Sequence, residues 1–289
     1  MCRAAILRHH RRVSVDTARV TRPRTGLAFL DEGLDRPGTV LAFAHRGGAF
    51  HPEIEGLENT LAAFEHAVAL GYRYLETDVH ATSDGVLLAF HDAVLDRVTD
   101  RVGRIADLSY DEVRSVRIGD REEIPRLTTL LEAFPDARFN IDIKSDSAVA
   151  PLAELVRRTR AHDRVCVGAF SDGRIRDFRR QMDRRVATTC GVGAVIGTRF
   201  APTRRFAWAF RGVGDVLQVP HRRGPLRVVT PELIRRAHDA GRPVHVWTVD
   251  DTDEMHHLLD LGVDGLMTDR TDVLRDVLVA RGQWMGEAP

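Results

Sequence analysis

His45 and Arg46 close an apolar run, LAFAHR, and Glu76 and Asp78 stand two apart in YLETDVH. His91 follows thirteen residues after Asp78, in LLAFHD. Residues two apart on a strand point to one face, so Glu76 and Asp78 would project together from a run whose neighbours suggest burial. Paired buried carboxylates are costly unless a cation neutralises them, and a divalent metal does so most directly. Two histidines and an arginine nearby would make this a metal-assisted site for an anionic substrate of the phosphate-ester class. The pattern repeats further along. Asp142 and Lys144 stand two apart in FNIDIK, and Trp247 sits late in VHVWTV, where it would face the substrate. Lys144 is the one lysine among 42 basic residues. Where arginine fills every other cationic position, a retained lysine points to a place that needs a compact charge.

Such residues need strands to aim them. From Thr39 onward, apolar runs alternate with amphipathic stretches. The expected strands are 39–45, 74–80, 139–144, 165–170, 186–190, 215–219, 244–249 and 264–267. The expected helices are 58–70, 150–161, 172–182, 230–240 and 251–261. Thr230–Pro231 supplies an N-cap with proline at the first helical position, and Gly71, Gly241 and Gly262 supply helix stops. Alternating β and α units imply a parallel sheet. Eight of them fit an α/β fold, a TIM-type (β/α)8 barrel, whose active site lies at the C-terminal ends of its strands. An open doubly wound sheet is the alternative, but no GxGxxG follows the first strand.

Residues 86–91 do not fit the strand count, because only Ser83-Asp84-Gly85 separates them from the second strand. Parallel neighbours need a longer crossover, and Asp-Gly is a hairpin signal. A two-residue turn at Asp84–Gly85 would pair 78 with 91 and set His91 opposite Asp78. The hairpin would open a small insertion after the second strand, about 81–130, with a short helix at 109–116. The expected organisation is a weakly structured arm over 1–38, the barrel over 39–275 and a tail over 276–289.

Composition narrows the function class. Basic and acidic residues balance at 42 each, which gives no bulk attraction to nucleic acid. No apolar run is long enough for a transmembrane helix. The N-terminal stretch lacks the apolar core and cleavage site of a signal peptide, so the expected location is cytoplasmic. Cys2, Cys166 and Cys190 are odd in number and widely spaced, against both a disulfide framework and a structural zinc site.

The pattern HRG, ENT, E.DVH.T.DG, FHD..L.R.T, a D/E-I-K strand, WTVD and GVDG..TD resembles the glycerophosphodiester phosphodiesterase family over roughly residues 40–275. The resemblance implies a phospholipase C-like barrel that hydrolyses glycerophosphodiesters to glycerol phosphate and an alcohol. It implies Glu76, Asp78 and Asp142 as ligands of one divalent cation, Mg2+ or Ca2+. It implies His45 and His91 as an acid–base pair, and Arg46 and Lys144 as phosphate contacts. Glu58, by the same resemblance, would orient His45 or Arg46 from behind, and Asn59 would sit near the cap of the first helix. The residue chemistry agrees: carboxylates without sulfur suit a hard cation, and imidazole titrates near neutrality.

The chain departs from the family pattern in three places. Asp142 stands where glutamate is usual, Leu57 stands where proline usually precedes ENT, and the loop 49–57 is longer. That loop carries His51, Glu53 and Glu55 and is expected over the mouth, as a substrate-facing lid or a solvated loop. The stretch 196–212 mixes aromatics with arginines. It reads either as a peripheral contact for lipid or as an outer helix with a buried aromatic face. Two other functions fit the same residues. One is a phospholipase D-like enzyme acting on lysophospholipids or sphingolipids. The other is a catalytically silent barrel that binds phosphodiesters, against which the histidine pair argues, since pure binding needs no acid–base couple.

Overall fold

A computed structural model describes residues 22–200 and 214–286. The strands of its main sheet are β1 (Leu41–His45), β2 (Tyr74–Ala81), β3 (Leu87–Ala89), β4 (Arg138–Ile143) and β5 (Val165–Gly168). They continue as β6 (Ala187–Thr188), β7 (Leu217–Pro220), β8 (Val244–Trp247) and β9 (Gly265–Thr268). All but β3 run parallel, in the order β6-β5-β4-β2-β1-β9-β8-β7. The two end strands meet at a parallel bridge between Thr189 and Val216. Asp215 N donates to Thr188 O at 2.7 Å and Cys190 N to Val216 O at 2.8 Å. The eight strands thus curl into a TIM-type barrel, each expected strand appearing in its expected place.

The barrel interior is layered. Towards the N-terminal ends, Leu41, Phe43, Tyr74, Cys166, Ala187, Val216 and Met267 form a cluster with Phe29 and Leu30. Those last two come from the short helix Ala28–Asp31, inside the stretch expected as an arm. Tyr74 Oη donates to the Phe29 carbonyl at 2.8 Å, which anchors that helix across the barrel floor. Residues 1–21 of the expected arm lie outside the described residues. Above the floor is a buried polar layer in which Gln218 Nε2 donates to Asn140 Oδ1 at 2.8 Å and approaches His245 Nδ1 at 3.4 Å. A second and larger core lies between the strands and the surrounding helices, which bury Phe64, Leu152, Phe178, Leu233, Leu258 and Leu274. The tail expected from 276 begins inside the helix Thr271–Ala280, and Trp284 packs edge-on against Tyr72 with ring centroids 5.0 Å apart.

The insertion has its own small core of Leu88, Phe90, Leu95, Ile105, Val113, Val116, Ile118 and Ile124. Its entry hairpin differs from expectation by one residue. Val79 pairs with Ala89 and Ala81 with Leu87, so Asp78 faces Phe90 rather than His91. Phe90 N accordingly donates to Asp78 O at 2.9 Å. A two-residue turn would need positive φ at Asp84 and Gly85, and only Gly85 has it, at +82°. The Asp84 carboxylate is engaged instead by Thr82 Oγ1 at 2.6 Å and Tyr110 N at 3.0 Å, which widens the loop to three residues. His91 therefore falls just beyond the paired strand.

Candidate active site

The strand registers bring the expected residues to one end of the barrel. His45 is level with Glu76, and Asp78 is level with Asp142. Glu76 and Asp78 are almost fully buried, at 4% and 2% exposure. The sharp turn at His45-Arg46-Gly47-Gly48 follows from crowding. Arg46 takes a left-handed φ of +51° and Gly47 one of +87°. A Cβ on Gly47 would lie 2.7 Å from Ala63 Cβ, and one on Gly48 would lie 2.7 Å from Thr271 Cγ2, so only glycine fits between these helices.

His45 Nδ1 lies 2.8 Å from Asp269 Oδ1, and Nε2 lies 3.7 Å from Glu76 Oε2. Asp269 thereby holds the proton on Nδ1 and leaves Nε2 for the mouth. Burial alone would lower the His45 pKa, but Glu76 and Asp269 outweigh it and the net shift is upward. Asp269 is itself fixed, since its N–H donates to Asp250 Oδ1 at 2.7 Å and its carbonyl accepts from Phe50 N at 3.0 Å. That second bond ties the loop 49–57 to the rim, where Ile54 and Leu57 pack with Ala63.

Arg46 reaches two carboxylates, Glu58 Oε1 and Asp78 Oδ2, each at 3.2 Å. Its backbone N–H donates to Glu76 Oε2, also at 3.2 Å. Asn59 is not the helix cap; Thr60 is, with its hydroxyl accepting from Ala63 N at 3.2 Å. Asn59 instead takes φ +61° and turns inward, where Nδ2 donates to Asp78 Oδ2 at 3.3 Å and Oδ1 accepts from Thr77 Oγ1 at 2.7 Å. Lys144 Nζ bridges Asp142 Oδ2 at 2.7 Å and Asp78 Oδ1 at 2.9 Å. Burial would raise the Asp78 pKa, yet Lys144 and Arg46 bring it below the ordinary range. Glu76 has less cationic support, and burial with the Asp78 charge pushes its pKa up to about 7.

His91 Nδ1 lies 2.6 Å from Asp92 Oδ1. Trp247 stands at the mouth with the exposed Phe170 edge-on to it, ring centroids 5.9 Å apart, and Lys144 Nζ is 5.8 Å from the Phe170 ring. Of the stretch 196–212, residues 196–200 end the helix Val192–Phe200 and leave Ile196 and Phe200 exposed, while 201–212 lie outside the described residues. Asp269, Asp92, Arg97 and Phe170 were given no role by sequence alone. The motif GVDG..TD ends on Asp269 and FHD..L.R.T contains Asp92 and Arg97, so the residue types were visible but their partners were not.

The chemistry of the donor set fits a hard cation. Glu76, Asp78 and Asp142 offer oxygen alone, and Glu76, whose pKa burial and the Asp78 charge push up to about 7, would be held as a carboxylate by a cation. Among the described residues no three His, Cys, Asp or Glu side chains already converge as a metal cage, and Lys144 holds the space between Asp78 and Asp142.

The parallel barrel thus gathers histidine, arginine, lysine and carboxylate side chains at the C-terminal ends of its strands. The sequence matches the glycerophosphoryl diester phosphodiesterase family over residues 45–273, and the chain belongs to that family. It is 44% identical over 255 residues to the probable glycerophosphodiester phosphodiesterase 2 of Mycobacterium tuberculosis, covering 87% of this chain and 95% of that protein. It is 31% identical over 270 residues to human lysophospholipase D GDPD1, covering 81% of this chain and 85% of that protein. Its fold matches an Oleispira antarctica phosphodiesterase solved with the product sn-glycerol-3-phosphate, with a TM-score of 0.70 at 20% identity, over 82% of this chain and 96% of that one.

Proposed function

We propose that the protein hydrolyses glycerophosphodiesters to glycerol phosphate and an alcohol, with His45 and His91 as the acid–base pair. The observation that carries this reading is the pairing of each imidazole with its own carboxylate, His45 with Asp269 and His91 with Asp92. In each pair Nδ1 is committed and Nε2 is left to exchange a proton. One histidine takes a proton from the attacking hydroxyl or water, and the other gives one to the departing alkoxide. Arg46 and Lys144 meet the charge on the phosphoryl oxygens. Glu76, Asp78 and Asp142 would hold one divalent cation, Mg2+ or Ca2+, in competition with Lys144 for the last two. When bound, the cation supplies Lewis-acid polarisation of a phosphoryl oxygen. Asn59 keeps Asp78 aimed inward, and Glu58 holds Arg46 from behind.

A second substrate class has an observation in its favour. Phe170 is 64% exposed beside Trp247 at the mouth, an apolar surface that suits the acyl chain of a lysophospholipid. The test is release of glycerol phosphate from glycerophosphocholine, and of lysophosphatidic acid from lysophosphatidylcholine, with EDTA, Mg2+ or Ca2+. The reading expects turnover that EDTA abolishes and that His45→Ala and His91→Ala each reduce by about 10²–10⁴. Turnover that survives both substitutions contradicts it.

A further inference from the structure

Arg97 belongs to the insertion, yet its guanidinium reaches the supports of two groups at the mouth. Nε donates to Asp92 Oδ2 at 2.6 Å. Nη1 and Nη2 donate to the two oxygens of Glu58 at 2.8 and 2.6 Å. Each carboxylate has a second engagement. Asp92 Oδ1 holds His91 Nδ1 at 2.6 Å, and Glu58 Oε1 is 3.2 Å from Arg46 Nη1. One planar fork therefore stands behind both His91 and Arg46, which arrive on different segments of the chain.

We propose that Arg97 is a positioning residue for the hydrolytic reaction, holding Asp92 on His91 and restraining Glu58 from neutralising Arg46. The proposal rests on His91 and Arg46 acting as assigned above. Guanidinium geometry is what makes the three contacts simultaneous, since two Nη groups chelate Glu58 while Nε holds Asp92, and an ammonium offers a single nitrogen without that fixed fork. Without the fork, Asp92 loses the partner that fixes its second oxygen, and the His91 ring loses a fixed acceptor. Glu58 then turns its whole charge onto Arg46, whose guanidinium already faces Asp78. Less positive charge is left for substrate phosphate.

A structural role alone makes a different forecast. The Arg97 side chain is 46% exposed, so solvent screens its ion pairs and limits what even a two-pronged contact adds to stability. Loss of Arg97 should therefore cost catalysis far more than stability.

The experiment compares wild type, Arg97→Ala and Arg97→Lys in the full chain with glycerophosphocholine, reading kcat, KM and Tm, with and without added guanidinium chloride at millimolar concentration. Arg97→Ala is expected to lose about 100-fold in kcat/KM, the scale of a misplacement near 1 Å, through both lower kcat and higher KM. Its Tm should stay within about 4 °C. Guanidinium should restore at least about a tenth of the loss, and Arg97→Lys should recover little. Nitrogen-15 NMR of the His91 ring reads the clamp without turnover. One Nδ1–H tautomer is expected in wild type and a mixture in Arg97→Ala. The proposal is overturned if kcat/KM stays within about threefold of wild type, if Arg97→Lys matches wild type, or if the His91 tautomer is the same in both proteins. Should Arg97→Ala fail to fold, the lysine variant decides. A wild type without diesterase activity would sink the functional reading, and the tautomer comparison would still judge the clamp.

Discussion

Replacing Asp269 with asparagine removes one charge and almost no volume. The main chain there is pinned independently of the side chain, through Asp269 N to Asp250 Oδ1 at 2.7 Å and Phe50 N to the Asp269 carbonyl at 3.0 Å. Thr268 Oγ1 adds a further bond to the same Asp250 oxygen at 2.9 Å. The fold should therefore survive, and the change should fall on His45 Nδ1, 2.8 Å from the lost oxygen. An amide no longer selects one tautomer or stabilises an imidazolium. General acid–base catalysis contributes about 10²–10⁴, so kcat should fall by about 10²–10³, or roughly 3–4 kcal/mol of barrier. KM should change little, because Asp269 contacts the His45 ring rather than a phosphate-binding group. The pH profile carries the sign. Burial lowers the His45 pKa, while Glu76 and Asp269 raise it above 6.5. Without Asp269 the pKa falls, and the limb of the kcat profile that belongs to His45 moves to lower pH whether it serves as acid or base. Steady-state kinetics on glycerophosphocholine from pH 5 to about 9 would show this. A kcat within about threefold of wild type, with an unmoved limb, would refute the assignment.

His245 lies fully buried in the barrel, and burial, with Arg22 adding, pushes its pKa down to about 3 from 6.5. The unfolded chain takes up a proton below 6.5 that the folded chain refuses, so stability falls as pH drops through this window by up to about 1.4 kcal/mol per unit. Urea unfolding at pH 6 and about pH 4 should show His245→Gln losing about 2–3 kcal/mol less than wild type across that interval; equal slopes would remove His245 from the acid response. Gly47→Ala combines left-handed strain with a contact of 2.7 Å to Ala63 Cβ, whereas Gly224→Ala meets only the strain, having nothing within 4 Å. Thermal melts should place the first about 2–4 kcal/mol below wild type and the second about 1 kcal/mol below, and equal losses would mean that the helix 61–69 gives way.

The barrel was legible because its strands are nearly continuous apolar runs and its helices carry proline and glycine punctuation. Eight strands could be placed from those signals alone. The hairpin register was not, because Asp-Gly permits two turn lengths, and Asp84 is held both by its neighbour Thr82 and by Tyr110, twenty-six residues away. Asn59 looked like a cap because ENT offers two capping residues in succession, and only packing against Asp78 sends Asn59 inward. His45, Glu76, Asp78, Asp142 and Lys144 announced themselves as polar residues ending apolar strands. Their partners did not. Asp269 is 224 residues from His45, and Arg97 is 39 from Glu58, so neither pairing leaves a local periodicity to read.

The most direct test is to follow glycerophosphocholine by phosphorus-31 NMR with the wild-type protein and one divalent metal. The account predicts glycerol 3-phosphate and free choline, with the reaction lost in His45→Ala and His91→Ala. Phosphocholine and glycerol as products, or an unchanged reaction in either histidine variant, would contradict it.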